Sequence, residues 1–505
     1  MVNRRRFLKT IGLGAAAAAV SSSARGAARA VQSKRPNILF LFTDDQRFNT
    51  LNAMGNPAIK TPNLDKLVHN GVAFSHAFIM GSTIGAVCVC SRAMLLTGQH
   101  LYHCTTLVQE KCRDLTLWPE TFRKTGYTTF GIGKWHNGPW SYARCFAQGA
   151  KIFYGGMGNQ LQVPVYDFDP AGKYPADQKY TGDKFSSEMF SDAAIKFLKE
   201  HENDKPFFLY VSYTAPHDPR MAPKEYADLY PPDTIEVPKN FLPQHPFDNG
   251  ELKVRDELLA KFPRTPEEIR EHVAAYYAMI THLDAQIGRV VQALEETGQA
   301  ENTIIIFSGD NGLALGQHGL MGKQSVYDHS VRVPLVFAGK NVEKGKKVDS
   351  LVYLHDVFPT TCEMAGLEIP RTVESQSLVP LLTGKQEKIH ESVFAGYRQF
   401  QRMVRNESYK LIRYPYVNKT QLFDIRNDPL EMNDISGDSK NAKLIEQLNA
   451  DLKRWQKRAG DDLDLENPPA PPPPEAGKGA AGAKKAGKKK PGKNAKAGNI
   501  SSIPK

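Results

Sequence analysis

Four short apolar runs each lead directly into residues able to do polar chemistry. Ile38–Phe42 runs into Thr43-Asp44-Asp45-Gln46, and Thr128–Ile132 into Gly133-Lys134-Trp135-His136. Phe207–Tyr213 precedes Ala215-Pro216-His217-Asp218-Pro219, and Thr303–Phe307 precedes Ser308-Gly309-Asp310-Asn311-Gly312. Asp44, Asp45, Asp310 and Asn311 offer oxygen donors only, a set suited to a hard cation, Ca²⁺ first and Mg²⁺ second, rather than to zinc. Three carboxylates drawn together would repel one another without a cation between them, whereas any one of them alone reads as a turn or a helix cap. Lys134, His136, His217 and Lys323 add positive charge and transferable protons, a combination that fits a tetrahedral oxyanion and its leaving group. His69, His76, His201, His245 and His282 read as packed or surface residues.

These residues can meet only if the fold sets the four runs side by side. Together with Pro334–Phe337, the runs have the length and continuous apolarity of buried parallel strands. Helical patterns lie between them; the clearest spans about Pro266 to Glu296, with Ile269, Val273, Tyr276, Ile280, Leu283, Ile287, Val290 and Leu294 on one face and Thr297-Gly298 ending it. Strands alternating with helices predict an α/β protein whose large sheet is sandwiched by helices. Open sheets of this class bind ligands beyond the carboxyl ends of their strands. After Thr383-Gly384 the pattern changes: Val393–Tyr397, Arg402–Val404, Tyr409–Tyr414 and Gln421–Asp424 predict a smaller antiparallel sheet. A helix from about Asn441 to Lys457, with Leu444, Leu448, Leu452 and Trp455 on one face, is expected to cover it. The expected organisation is a leader over 1–30, a catalytic domain over 31–385, an α+β subdomain over 386–462 and a tail over 463–505.

A chain of 505 residues with 41% hydrophobic and 24% charged residues has an ordinary globular composition. That excludes a wholly disordered chain, a collagen-like fibre and a polytopic membrane protein. The net charge of +11 is unevenly placed: residues 1–30 contribute +6 and 468–505 contribute +8, so the body between them is −3. A nucleic-acid binder carries its basic patch on the folded body, so none is expected here. Arg4-Arg5-Arg6-Phe7-Leu8-Lys9, an apolar stretch over Ile11–Val20 and a terminal Ala28-Arg29-Ala30 have the three parts of an export signal. The paired arginines resemble a twin-arginine signal, which implies passage of the folded protein through that export machinery to the periplasm or beyond. The apolar stretch is short for a membrane span, and none is expected in the mature chain. The Pro-rich and then Lys/Ala/Gly-rich C-terminal tail is expected to be disordered.

Between the first two strand-end motifs lies Gly85-Ala86-Val87-Cys88-Val89-Cys90-Ser91-Arg92-Ala93-Met94-Leu95-Leu96-Thr97-Gly98. This segment resembles the signature of the formylglycine-dependent sulfatases of the alkaline-phosphatase superfamily, Cys-x-Pro-Ser-Arg followed by Ala and Leu-Thr-Gly. The resemblance extends in order through Gly133-Lys134-Trp135-His136, Ala215-Pro216-His217, Asp310-Asn311-Gly312, His318-Gly319-Leu320-Met321-Gly322-Lys323 and Arg332-Val333-Pro334-Leu335. It continues to Leu422-Phe423-Asp424 and Asn427-Asp428-Pro429. It implies oxidation of Cys88 to formylglycine by a maturation enzyme, and Ca²⁺ held by Asp44, Asp45, Asp310, Asn311 and an oxygen of residue 88. Arg92 would steady the hydrated aldehyde, and Lys134, His217 and Lys323 would grip the sulfate. Asp310 would help deprotonate the attacking hydroxyl, His217 or Lys323 would protonate the leaving alcohol, and His136 would take the remaining proton. The implied function is an exported sulfatase acting on a sulfate ester, in particular a sulfated carbohydrate.

One residue departs from the signature: Cys90 stands where the family has proline. An unmodified Cys88 would leave a thiol activated by its positive surroundings and would make an inactive, polyanion-binding sulfatase-like protein the alternative. A phosphodiesterase or phosphonate hydrolase of the same fold is the other alternative. A zinc site from Cys88, Cys90, Cys104 and Cys112 is a further reading, although the spacing contains no Cys-x₂-Cys pair. A Cys104–Cys112 disulfide is compatible with export. Arg47, His100, His103, Arg398 and Gln399 are candidates for contacting a sugar or carboxylate beside the sulfate, or are ordinary surface residues.

Overall fold

The computed structural model describes residues 35–104, 107, 112–202 and 204–470. The expected leader and nearly all of the expected tail lie outside the described residues. Eight strands form the main sheet: β1 (Asn37–Thr43), β2 (Gly71–Phe78), β4 (Thr128–Lys134), β5 (Gln148–Phe153), β6 (Phe207–Ser212), β7 (Thr303–Gly309), β8 (Arg332–Gly339) and β9 (Lys346–Tyr353). Their order is β9-β2-β8-β7-β1-β6-β4-β5. The short β3 (Gly81–Ser82) joins a second sheet with β10 (Val393–Tyr397), β11 (Gln401–Arg405), β12 (Tyr409–Tyr414) and β13 (Lys419–Asp424).

The central strands β1, β6 and β7 are buried at every residue, and because successive side chains alternate sides, both of their faces are covered. Leu39 and Leu41 of β1 face a layer of α1 (Pro62–His69), α4 (Ser186–Glu200) and α5 (Pro266–Glu296). Ile38, Phe40 and Phe42 face α2 (Val87–Thr97), α3 (Trp118–Lys124) and α6 (Val357–Met364). Helix α5 has the bounds its apolar period predicts, and all eight residues of the expected face are buried. Thr265 opens it by accepting a hydrogen bond from the Glu268 N–H, and Pro266 fills a position whose N–H needs no partner. Among the described residues no helix is long and apolar enough to cross a membrane.

Two expectations require correction. Pro334–Phe337 belongs to a strand that runs antiparallel to both neighbours, with Val336 opposite Phe307 on one side and Ala73 on the other. Burial on both faces produced the continuous apolar run; direction leaves no mark on it. The second sheet is antiparallel as expected but is extended by β3, which pairs in parallel with β10. One apolar cluster runs through both sheets, so the expected boundary near residue 385 does not separate two cores.

The covering helix is α7 (Ala442–Ala459), whose Leu448, Leu452 and Trp455 are buried. Packing continues past the expected start of the tail at 463: Leu465 is buried, and the Glu466 carboxylate lies 3.0 Å from Arg413. Asp461 accepts two hydrogen bonds from the buried Arg402 guanidinium, at 2.6 and 2.8 Å. Truncation after residue 470 is therefore expected to leave the urea midpoint and turnover unchanged. Truncation after Gly460 strands Arg402 without its partner and is expected to cost about 3–5 kcal/mol. Equal midpoints for the two truncations would show that the Asp461 contact carries no stability.

Candidate active site

The parallel pairing of β4, β6, β1 and β7 sets their carboxyl ends in a row. Gly133 and Phe42 both lie in register with Ser212, and Thr43 lies opposite Gly309. The four strand-end motifs thereby open onto one rim. Gly133 is required there: it has φ +80°, and a Cβ would stand 1.9 Å from the Ser212 carbonyl oxygen. Asp45 and His136 also take left-handed conformations, with φ of 64° and 61°. Such backbone strain in non-glycine residues clusters at functional sites.

Cys88 lies in the first turn of α2 and is 2% exposed. Its Sγ is 3.3 Å from His136 Nδ1 and 3.5 Å from Lys134 Nζ. Lys134 also donates to Asp44 Oδ2 and, at 2.6 Å, to the Gly156 carbonyl. Lys323 Nζ donates to Asp45 Oδ1 at 2.6 Å, and Asn311 Nδ2 donates to the same oxygen at 2.8 Å. Arg92 donates through Nε to Asp310 Oδ2 at 2.8 Å and through Nη1 to the Lys134 carbonyl and the Ser212 hydroxyl. His217 is oriented by Asp218, whose backbone oxygen lies 2.9 Å from Nδ1, leaving Nε2 3.5 Å from Asp45 Oδ2.

Three buried polar atoms in this cluster have no hydrogen-bond partner: Asp44 Oδ1, Asn311 Oδ1 and Arg92 Nη2. Two unsatisfied oxygens beside the carboxylates of Asp45 and Asp310 are the donor set of a hard divalent cation. The ligating atoms of Asp44, Cys88 and Asp310 lie within 4.8 Å of one another, so residue 88 belongs to the same point. The residues present fit the group.

Burial dominates the electrostatics. It pushes Asp44 up to about 7 against the pull of Lys134. For Asp45 burial is outweighed by His217 and Lys323, and for Asp310 by Arg92 and Lys134, so both carboxyls sit below their ordinary value. Burial, reinforced by Lys134 and Arg92, holds His136 well below its usual value, whereas Asp45 overcomes burial at His217 and raises it. At Cys88 burial outweighs Lys134 and Lys323 and raises the thiol. The sequence-based expectation of an activated thiol is thus reversed: desolvation of a thiolate costs more than two cations return.

All seven expected catalytic residues, Cys88, Arg92, Lys134, His136, His217, Asp310 and Lys323, converge here with Asp44, Asp45 and Asn311. The more distant substrate candidates divide. Arg398 reaches the neighbourhood: its N–H donates to the Ser82 carbonyl, on the segment leading to Cys88, and its guanidinium pairs with Glu251 at 2.6 Å. Arg47 does not; its guanidinium lies over the Tyr276 ring and lines a separate cavity of about 560 Å³ with Asn49, Tyr277 and His329. His100 and His103 lie beyond the opposite end of α2 from Cys88, a helix of 11 residues and so about 16 Å long. Reasoning from sequence missed Arg255 and Asp256. Arg255 pairs with Asp218 at 2.8 Å, and Asp256 accepts from Gln324 Nε2 at 2.8 Å. No motif or period marks that loop. The cysteines do not form a zinc site: Cys88 faces His136, whereas Cys90 faces Thr83 Oγ1 at 3.7 Å. Cys104 and Cys112 lie in side-chain contact with one another, as thiols rather than a disulfide.

A buried pocket of lysines, histidines and a hard-cation donor set, at the carboxyl ends of a mixed α/β sheet, is suited to hydrolysis of an ester of a tetrahedral oxyanion. The family model described as Sulfatase matches residues 36–367, and a second, N-sulphoglucosamine sulphohydrolase, C-terminal, matches 316–458. The chain belongs to the sulfatase family and is a sulfuric ester hydrolase. It is 26% identical over 504 residues to the N-acetylglucosamine-6-O-sulfatase of Bacteroides thetaiotaomicron, covering 85% of this chain and 88% of the relative. A solved structure in complex with its substrate D-glucosamine-2-N,6-O-disulfate superposes with TM-score 0.73 at 23% identity, over 86% of this chain and 100% of that one. The phosphonate monoester hydrolase of Agrobacterium radiobacter shares the fold, with TM-score 0.66 at 22% identity, over 84% of this chain and 96% of that one.

Proposed function

We propose that the protein is an exported sulfatase of sulfated carbohydrate, using a formylglycine made from Cys88 and a Ca²⁺ held by Asp44, Asp45, Asp310 and Asn311. The observation that carries the reading is the placing of Cys88: a buried residue 3.3 Å from a histidine and 3.5 Å from a lysine, beside unsatisfied oxygens of two cation-ligating residues. The sugar substrate rests on the likeness to the N-acetylglucosamine-6-O-sulfatase. Export to the periplasm or beyond rests on the leader sequence, and conversion of Cys88 requires a maturation enzyme.

The hydrated aldehyde supplies an oxygen nucleophile with a second hydroxyl, and the cation supplies Lewis-acid stabilisation of the sulfuryl oxygens. The chain's own groups do the rest. Lys134 and Lys323, buried and already aimed at the carboxylates, neutralise charge on the sulfate ester. Arg92 fixes Asp310 and carries a free Nη2 to hold an oxygen at residue 88. His217, with Nδ1 anchored on Asp218, presents Nε2 to the leaving alcohol. His136, with Nδ1 against residue 88, is placed to take the proton that remains. An aryl sulfate is expected to turn over with kcat/KM at least about 100-fold above that of the matching aryl phosphate, the discrimination expected from about 3 kcal/mol of differential transition-state binding. Preference for the phosphate would favour the phosphodiesterase or phosphonate-hydrolase reading, and activity on neither an inactive binding protein.

A further inference from the structure

Two of the histidines outside the catalytic site, His100 and His103, meet a glutamate elsewhere. His100, His103 and Glu374 each bring a ligating atom to within 4.8 Å of the others, in a group apart from the catalytic residues. The segment after α2 makes one helical turn, with the His103 and Cys104 N–H groups donating to the His100 carbonyl at 3.1 and 3.2 Å. Residues three apart on such a turn lie on one side. The loop carrying Glu374 is docked there by two hydrogen bonds from Glu374 and Ser375 to the Gly98 carbonyl, at 2.9 and 3.0 Å. Glu374 Oε2 also accepts from the His100 backbone N–H at 2.8 Å, which orients the carboxylate.

The imidazole of His100 is the informative group. It is 4% exposed, its Nδ1 has no hydrogen-bond partner, and that atom lies 3.5 Å from Glu374 Oε2. The Arg458 backbone offers the ring a hydrogen bond, and a carbonyl acceptor places the ring proton on Nε2. The Nδ1 lone pair then faces a carboxylate oxygen, which is repulsive unless a positive centre lies between them. An imidazole held through its second nitrogen by a backbone carbonyl is the usual setting of a metal-ligating histidine. His103 Nδ1 lies 2.7 Å from Glu374 Oε1. Ligand bonds of about 2.0–2.1 Å in a tetrahedral zinc site give ligand separations of about 3.3 Å, so small adjustments close the set.

We propose that His100, His103 and Glu374 form a second metal site, for Zn²⁺, distinct from the hard-cation site at Cys88. Two imidazoles and one carboxylate suit a borderline ion, whereas the all-oxygen set of the catalytic pocket does not. The site lies where three parts of the chain meet: the turn after α2, the Glu374 loop and the end of α7. His103 packs there against Gly460, where a Cβ would stand 2.7 Å from the ring. A bound ion ties these segments together and stabilises the fold without touching substrate.

The test uses the full-length protein, stripped of metal, reloaded with Ca²⁺ and equilibrated with Zn²⁺ alone. One Zn²⁺ per chain is expected by elemental analysis, with a rise in Tm that depends on Zn²⁺ concentration. His103→Ala and Glu374→Gln should each weaken Zn²⁺ binding by about 100-fold or more while leaving aryl sulfate turnover unchanged. His103 is 36% exposed at its side chain, so its replacement should fold; circular dichroism checks this. Co²⁺ in place of Zn²⁺ should give visible bands without thiolate charge transfer, lost in His103→Ala. Absence of Zn²⁺ uptake, equal uptake by both variants, or a Co²⁺–thiolate band would overturn the proposal.

Discussion

Trypsin is expected to release Leu67–Arg92 from the protein made in its native host with residue 88 converted from thiol to aldehyde or hydrate, although Cys90 replaces the proline of the signature. The peptide contains both cysteines and no internal lysine or arginine, so fragment ions place the change. The reason lies in what surrounds residue 88. His136, Lys134 and the oxygens of Asp44, Asp310 and Asn311 converge on a point where burial pushes a thiol up. A thiol also lacks the second hydroxyl needed to expel sulfate after transfer. Cys90 points elsewhere, toward Thr83, and adds nothing to that constellation. Cys90→Pro should preserve or raise the converted fraction. Cys88→Ala is expected to lower kcat by at least about 10⁴-fold, the scale of losing a nucleophile, with the fold intact because alanine is a strong helix former. Two unmodified thiols, or a Cys88–Cys90 disulfide, in protein that still cleaves sulfate esters would refute the formylglycine mechanism.

Exhaustive chelation is expected to abolish turnover, with Ca²⁺ restoring it more fully than Mg²⁺. Asp44→Asn keeps the shape of a proposed ligand but removes its charge, and metal content and kcat should fall together. Asp310→Ala should do so more severely, because it also removes the carboxylate 2.8 Å from the fully buried Arg92. Breaking such a buried pair costs about 3–5 kcal/mol, so the Tm of this variant should fall as well. The two substitutions therefore separate the electrostatic role from the structural one. Full activity in chelated protein with no detectable metal would dispose of the hard-cation site.

The chemistry at the strand ends was legible because each piece is local. An apolar run followed by Asp44-Asp45, Lys134-Trp135-His136, His217-Asp218 or Asp310-Asn311 announces both a buried strand and the polar residues it delivers. Helix α5 was legible because its apolar period runs unbroken from Ile269 to Leu294 and stops at Thr297-Gly298. The same locality explains the misses. Arg255 and Asp256 come from an irregular loop with no signal of its own, and Arg47 sits two residues from Asp45 yet faces another cavity.

Sequence alone therefore determined which residues could form the catalytic centre, the α/β class, the smaller antiparallel sheet and the family, since these rest on residue type and spacing along the chain. Tertiary structure decided the rest. Strand direction at Pro334–Phe337 depends on which neighbours it pairs with, and burial alone leaves no trace of that choice. The reversal at Cys88 depends on desolvation, which no count of nearby lysines reveals. The meeting of His100 and His103 with Glu374 spans 271 residues from His103 and exists only because a distant loop docks on the Gly98 carbonyl at the end of α2. Contacts of that separation are set by packing, and packing is a property of the folded chain.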